Sequence, residues 1–338
     1  MKENIKHSNN NLPVEDLHIN SIIIDGLNAS DHTDPRVIKH LQKGGVTAVN
    51  ATVVAWHNKK ETLNRIEGVL NNIESNNSIA KIIRNTDDIY TCKAQKKVGY
   101  ILGFQDSAPI EKDLGMLKEY FDLGVRIIQL TYNHTNFVGS GCMEPIDHGL
   151  TDFGKKVIME MNRLGILIDL SHCGDVTTKQ AIEYSELPVA FTHANPLSVC
   201  NIKRNKSKEL FELLAKHGGV AGSVSVSAML NCNKKTTIEN YIEAIAKMVK
   251  LIGNDQVALG PDLMENLPAE TIDEIFRDLP LEVKNAFLNS DPVIGFENAT
   301  KFLYITNGLN DWGFNDNEVK KIMGLNWLNL YDRVWQKS

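Results

Sequence analysis

Two histidines at the ends of apolar runs carry the clearest chemical signal in this sequence. His172 follows the run 165–170, and His193, twenty-one residues later, ends the segment 188–193. Two such runs around a stretch of helical length and composition, here 175–187, predict a strand–helix–strand unit with parallel strands. The crossover brings the carboxyl ends of both strands to one end of the sheet, so the two imidazoles are expected to face the same opening.

This pair of imidazoles has a chemical and a structural interpretation. Two converging imidazoles suit a shared metal ion or a substrate oxygen. Alternatively, each histidine caps a strand and makes ordinary hydrogen bonds there. For a single histidine the structural interpretation is at least as good, but the pairing of His172 with His193 favours function.

The rest of the chain alternates apolar strands with helical segments. Eight such strands favour a closed parallel (β/α)8 barrel, the α/β TIM-barrel fold, over an open doubly wound sheet. The sequence has no Gly/Ser/Pro linker and no repeat of domain size, so residues 21–338 are predicted to form one domain behind a flexible arm, residues 1–20. Residues 267–338 are predicted to add helices that close the bottom of the barrel or pack on a partner subunit. The predicted strands span 21–26, 46–55, 98–105, 125–132, 165–170, 188–193, 219–226 and 257–260, and the predicted helices span 36–43, 60–76, 86–95, 113–123, 153–164, 175–187, 207–216 and 238–252.

The composition of the 338 residues is that of an ordinary globular protein, with 42% hydrophobic and 23% charged residues. A net charge of -6 and a pI of about 5.9 argue against nucleic-acid binding. The polar first twenty residues and the lack of a run of membrane-spanning length predict neither a secretion signal nor membrane insertion. The five cysteines are scattered and odd in number, so no disulfide framework is expected and a cytoplasmic location fits best.

Several segments, taken together and in order, resemble the membrane dipeptidase (renal dipeptidase) family of amidohydrolase-like metallopeptidases. The resemblance runs from Ile22 to Trp335 and is densest between Gly124 and Gly222. It implies a (β/α)8 barrel, in agreement with the strand count. The segments are LGVR (123–126) with LT (130–131), GLTDFG (149–154), MNRLG (161–165), DLSH (169–172), THAN (192–195), RN (204–205) and HGGV (217–220).

The resemblance also assigns site residues. In such dipeptidases two zinc ions are bridged by a glutamate and held by an HxD pair after the first strand and two histidines after the fifth and sixth. The two histidines match His172 and His193, which are therefore the predicted metal ligands. Arg204 matches the arginine that binds the substrate carboxylate, a task that suits a guanidinium fork. Asp262 matches an aspartate that handles protons on the water and the leaving amine.

Other ligand positions depart from the family pattern. Leu27 and Ala29 stand where the HxD pair belongs, and Gln105 stands in place of the bridging glutamate. Tyr132 replaces a substrate-binding histidine, and it is predicted, with Gln105, to contact the substrate. Because an amide oxygen is a weak zinc ligand, the sequence predicts one zinc ion or none, and ordinary two-zinc hydrolysis is not expected.

Some nearby residues are weaker candidates for replacing the lost ligands. His32 and Asp34 form an HxD triplet seven residues past the first strand. His134 and Cys142 lie in the long loop 133–149, and Asp106 directly follows Gln105. Free cysteines are more often buried and inert, and the HxD triplet would need its loop to fold back over the barrel mouth.

Two functional hypotheses follow. The first is a dipeptidase-like hydrolase that acts on a dipeptide or a similar small amide with a carboxylate, using a reduced metal site. The alternative is a catalytically silent or repurposed relative that binds a small carboxylate ligand or a partner without hydrolysis. A homodimer is expected in either case.

Overall fold

The computed structural model describes residues 12–230, 235–275, 281, 284–285 and 292–335. Its strands are short and buried, as expected for a sheet that is covered on both faces. The β-branched and leucine side chains of these runs pack alternately into the barrel and under the helices. The strands are β1 (Ile24–Asn28), β2 (Ala48–Val54), β3 (Ala80–Ile82), β4 (Val98–Phe104), β5 (Val125–Gln129), β6 (Leu167–Asp169), β7 (Ala190–Phe191), β8 (Val220–Ser223) and β9 (Val257–Leu259).

The sheet is a nearly closed parallel barrel. Its order is β1-β2-β4-β5-β6-β7-β8-β9, and every neighbouring pair is parallel. The two ends meet just past β1 and β9, where the Ala29 amide donates to the Leu263 carbonyl (2.8 Å) and the Asp262 amide donates to the Leu27 carbonyl (3.0 Å). The predicted (β/α)8 barrel is confirmed.

The predicted strands and helices all occur, with shifted ends. Three elements were not predicted: α1, which lies in the predicted arm, β3, which pairs with β4 outside the barrel, and the four-residue helix α9. The predicted strands before His172 and His193 were too long, since β6 and β7 have only three and two residues. The helices are α1 (Val14–Asn20), α2 (Pro35–Lys43), α3 (Lys59–Ser75), α4 (Thr86–Gln95), α5 (Gly115–Leu123), α6 (Asp152–Leu164), α7 (Asp175–Tyr184), α8 (Lys208–Lys216), α9 (Ser227–Leu230), α10 (Ile238–Ile252), α11 (Ala269–Ile275), α12 (Phe302–Trp312), α13 (Asp316–Lys320) and α14 (Asn326–Val334).

Part of the predicted flexible arm is packed against the barrel. In α1 the side chains of Leu17 and His18 are buried. His18 bonds through Nδ1 to the Thr306 hydroxyl (2.7 Å) and through Nε2 to the Gly44 carbonyl (3.0 Å). The prediction of a loose arm is therefore wrong for residues 14–20, while residues 1–11 lie outside the described part.

The C-terminal helix α14 closes the bottom of the barrel. Trp327 is fully buried and donates from Nε1 to the Leu259 carbonyl at 2.8 Å. It shares a core cluster with the inward-facing residues at the amino ends of the strands, among them Ile24, Ile101 and Leu167. Gly26 and Gly222 leave room for this ring, because a Cβ on either would lie 3.0 Å or less from it. Of the two roles predicted for the C-terminal helices, the structure confirms closure of the bottom.

Two further expectations concern membrane spans and cysteines. None of the helices in the described part of the chain combines the length and the apolar character of a membrane span. Cys92, Cys142 and Cys173 are free thiols, but Cys200 is disulfide-bonded. No disulfide framework was predicted from the sequence, so this bond was missed.

Candidate functional site

The carboxyl ends of the barrel strands surround a pocket with about 850 Å³ of empty space, part of it open to solvent. Gln105 directly follows β4, Tyr132 lies just beyond β5, His172 follows β6 and Asp262 follows β9. Arg204 reaches the pocket from the loop between β7 and α8. These five predicted residues all line the pocket, and the sixth, His193, lies directly behind His172.

His172 and His193 meet as the spacing of their strands predicted. Their Nε2 atoms are 2.9 Å apart and both rings are buried. The far nitrogen of His193 lies 2.8 Å from the Thr192 hydroxyl, and that of His172 lies 2.8 Å from Asn133 Oδ1. The Thr192 hydroxyl in turn donates to the buried carboxylate of Asp169 (2.6 Å).

This chain of bonds places the proton of His193. Because the Thr192 hydroxyl gives its hydrogen to Asp169, it accepts from Nδ1–H of His193, which leaves Nε2 of that ring with a lone pair. The 2.9 Å between the two Nε2 atoms is a hydrogen-bond distance, so a hydrogen or a cation must lie between them. Burial, followed by the nearby charge of Arg204, holds the pKa of both histidines well below its ordinary value. Both imidazole rings are therefore neutral.

The described residues do not fit the two-zinc centre that the resemblance implies. Leu27, at the first ligand position, is a buried hydrocarbon, and Ala29 offers no donor. The side-chain amide of Gln105 is turned to the Thr52 hydroxyl (3.0 Å). Among the described residues no group of three or more His, Cys, Asp and Glu side chains can hold a metal. A single ion would find only two protein nitrogens, fewer than the three ligands of catalytic zinc sites.

Arg204 is almost fully buried, with 3% of its surface exposed. Its Nη1 donates to the Ser171 carbonyl (2.6 Å) and its Nη2 donates to the His193 carbonyl (3.0 Å). The guanidinium thus ties together the chain just beyond β6 and β7. A guanidinium has five N–H donors, so donors remain for a substrate carboxylate at the pocket surface.

Asp262 has a left-handed backbone conformation (φ 62°) in the turn that closes the barrel. Burial raises the pKa of its carboxyl group to about 6, against the opposing charge of Arg204. A carboxyl group with a pKa near the working pH is suited to accept and return a proton. The predicted role of Asp262 in proton transfer is consistent with this setting.

Tyr132 forms part of an aromatic series. Its ring stacks on His172 (4.3 Å between centroids, 26° between planes) and lies 5.4 Å from the ring of Trp56. Burial raises the pKa of its hydroxyl, so the phenol stays neutral. Tyr132 therefore offers the pocket an aromatic face and a neutral hydroxyl.

The weaker candidates for replacement metal ligands make other hydrogen bonds or ion pairs. His32 is buried and bonded to the Asn28 carbonyl (3.0 Å), while Asp34 caps α2 and pairs with Arg36. His134 pairs with Glu144 at 3.3 Å. The His32–Asp34 triplet therefore does not act as a replacement HxD pair.

Two other candidates lie beside the pocket lining rather than in it. Asp106 accepts from the Ala108 amide (2.9 Å) and from Asn136 Nδ2 (2.6 Å). The sulfur atom of Cys142 lies 3.6 Å from Asn133 Oδ1. Neither residue lines the pocket.

Sequence reasoning missed Asn133 and Trp56. Asn133 has a positive φ of 59°, a conformation that asparagine tolerates better than most residues, but only the folded loop brings it to His172. Trp56 follows β2 and lines the pocket. An aromatic residue directly after a predicted strand was the one available signal.

A comparison with protein-family models gives a match over residues 6–273 to the membrane dipeptidase family, peptidase family M19. The chain belongs to this family. The resemblance inferred from the sequence motifs is thereby confirmed, and the barrel with its pocket is the fold of an M19 protein.

Individual proteins are also similar to this chain. An amidohydrolase from Pseudomonas aeruginosa has 32% identity and a TM-score of 0.90, covering 96% of this chain and 100% of its own. Dipeptidase 3 from Mus musculus is 30% identical over 171 residues, which is 49% of this chain and 35% of that protein. An uncharacterized dipeptidase from Schizosaccharomyces pombe is 27% identical over 296 residues, 82% of this chain and 62% of that protein. The chain thus spans about a third to three fifths of these curated relatives.

Proposed function

We propose that this M19 protein is a dipeptidase-like hydrolase that acts on a small amide with a carboxylate, through a reduced site that holds at most one metal ion. The observation that carries the proposal is the convergence of the His172–His193 pair, Arg204 and Asp262 at one pocket. The names of the curated relatives support a dipeptide as the substrate class.

Each residue of the site has its own role in the proposed reaction. The free N–H groups of Arg204 bind the substrate carboxylate and set the position of the amide. Asp262, when ionised, accepts a proton from the attacking water and returns it to the leaving amine. When they are not bonded to each other, the Nε2 atoms of His172 and His193 would bind a water hydrogen or hold one ion. One ion held by the two Nε2 atoms would supply Lewis-acid chemistry to the amide carbonyl.

The second candidate function is binding without hydrolysis. The observation in its favour is chemical: Leu27, Ala29 and Gln105 offer neither the HxD pair nor the bridging carboxylate that two-metal water activation needs. In that case Arg204 holds a small carboxylate ligand and no bond is broken.

The cytoplasmic location, the homodimer and the absence of nucleic-acid and membrane partners also remain proposals.

A pH profile tests the role of Asp262. Because the proton acceptor must be ionised, we expect the rate of dipeptide hydrolysis to rise about tenfold per pH unit up to pH about 6 and then to level off. The Asp262→Asn variant should lose at least about 100-fold in rate together with this rise. Amino-acid release, measured from pH 4 to 8, gives both values.

The matched control is Asp106→Asn. Asp106 is another carboxyl group whose pKa is raised by burial, to about 7, but it lies outside the pocket lining. Its variant should keep the wild-type profile. An Asp262→Asn enzyme with the wild-type rate and profile would refute the role assigned to Asp262.

A further inference from the structure

One side of the pocket is apolar. The residues of this apolar wall are Trp56, Tyr132, Met143, Met229 and Met264, which come from four separate segments of the chain. Met229 is buried and Met264 is 40% exposed at the mouth. Val54, Leu267 and Ile275 extend the same lining. The proposed hydrolysis assigns a step to none of these side chains, so the apolar wall needs an explanation of its own.

A series of contacts runs from Arg204 to the aromatic part of the lining. Arg204 donates to the His193 carbonyl, and Nε2 of His193 lies 2.9 Å from Nε2 of His172. Tyr132 stacks on His172, and Trp56 lies 5.4 Å from Tyr132. The aromatic rings are therefore separated from Arg204 by the paired histidines.

This order gives a bound dipeptide a direction. With its carboxylate at Arg204 and its amide beside His172, the next residue of the ligand must lie on the other side of His172. On that side, Tyr132 stacks on His172 and Trp56 lies next to Tyr132. The amino-terminal side chain of the ligand therefore meets Tyr132 and Trp56.

We infer that the apolar wall selects dipeptides whose amino-terminal residue has a large apolar side chain. This inference rests on the proposed function for the position of the carboxylate. Aromatic rings contribute large rigid contact areas, and methionine side chains adapt to ligands of different shape. Within the described lining the one carboxylate is Asp262, so the wall offers no partner to a basic side chain.

A rival would be an acidic amino-terminal side chain held by Arg65. This arginine lies at the rim, is exposed, and uses its Nε to donate to the Val53 carbonyl (2.8 Å). An exposed ion pair contributes little to binding compared with burial of a large apolar group. The apolar interpretation is therefore favoured, and an acidic dipeptide serves as a probe for the rival.

Calorimetric binding of three dipeptides, Phe-Ala, Ala-Ala and Glu-Ala, tests the inference without requiring turnover. We expect Phe-Ala to bind the wild-type protein about tenfold more tightly than Ala-Ala, with Glu-Ala no tighter than Ala-Ala. Trp56→Ala should reduce the ratio between Phe-Ala and Ala-Ala to near one. Trp312→Ala is the matched control, because Trp312 is 53% exposed at the end of α12 and does not line the pocket, and it should leave the ratio at tenfold.

The outcomes separate this inference from the proposed function. A tenfold ratio that Trp56→Ala removes supports the inference, even if neither dipeptide is hydrolysed. Equal binding of Phe-Ala and Ala-Ala, a ratio unchanged in Trp56→Ala, or a preference for Glu-Ala overturns it, while hydrolysis of Ala-Ala by the same protein would leave the proposed function standing. No binding of any of the three would overturn both.

Discussion

Replacing His193 with alanine is expected to lower dipeptide hydrolysis at least about 100-fold. The change removes the Nε2 atom that lies 2.9 Å from Nε2 of His172, and with it one of the two protein nitrogens available to an ion. It also removes the ring N–H from which the Thr192 hydroxyl accepts a hydrogen bond. Initial rates on Ala-Ala, with and without added zinc, measure the effect.

Two controls make the result specific. His217 is exposed and its ring bonds only to the Leu213 carbonyl among the described residues, so His217→Ala should keep the wild-type rate. Because His193 is buried, a thermal melt must show that the His193→Ala protein is folded at the assay temperature. Wild-type activity of a folded His193→Ala protein would remove the histidine pair from the mechanism. Activity that persists in a metal-free preparation would also rule out a requirement for an ion at this pair.

Replacing Arg204 with methionine is expected to lower both stability and substrate affinity. Methionine keeps much of the volume but leaves the Ser171 and His193 carbonyls without their donor. Losing donors to two buried carbonyls costs about 2–4 kcal/mol in the free energy of unfolding. Since the cation that binds the substrate carboxylate is also gone, KM should rise at least about tenfold. Urea unfolding and steady-state kinetics measure the two effects.

Arg163→Met is the matched control for this change. Arg163 lies exposed on α6 and pairs with Glu160 at 2.6 Å, and an ion pair of this kind contributes less than about 1 kcal/mol. Its variant should therefore keep the wild-type KM and lose little stability. An Arg204→Met protein that is destabilised but keeps its KM would show that Arg204 is only a structural link between the ends of β6 and β7.

The barrel could be predicted from the sequence because its strands are buried on both faces. Near-continuous apolar runs such as 98–104 and 125–129 carry that signal directly. The meeting of His172 and His193 was predictable for the same reason, since two such runs joined by a helix place their ends together. The assignments of Arg204 and Asp262 came from the family resemblance and not from spacing.

The parts that escaped prediction depend on contacts between distant segments. β3 has three residues and only one of them is buried, so no apolar run marks it. The bond from Asn133 to His172 joins residues 39 apart through a loop whose path the sequence does not specify. The bonds of Arg204 to two main-chain carbonyls likewise depend on how the loop after β7 folds back. Local patterns carry no information about such contacts.

We propose above that this M19 protein hydrolyses a carboxylate-bearing amide with a reduced metal site. The most direct test is elemental analysis of protein purified without chelator, with zinc titrated back, alongside hydrolysis of a dipeptide panel by the same sample. We predict at most one bound ion per chain together with measurable hydrolysis. Two tightly bound ions per chain would contradict the reduced site, and hydrolysis of no dipeptide at any zinc concentration would contradict the hydrolase.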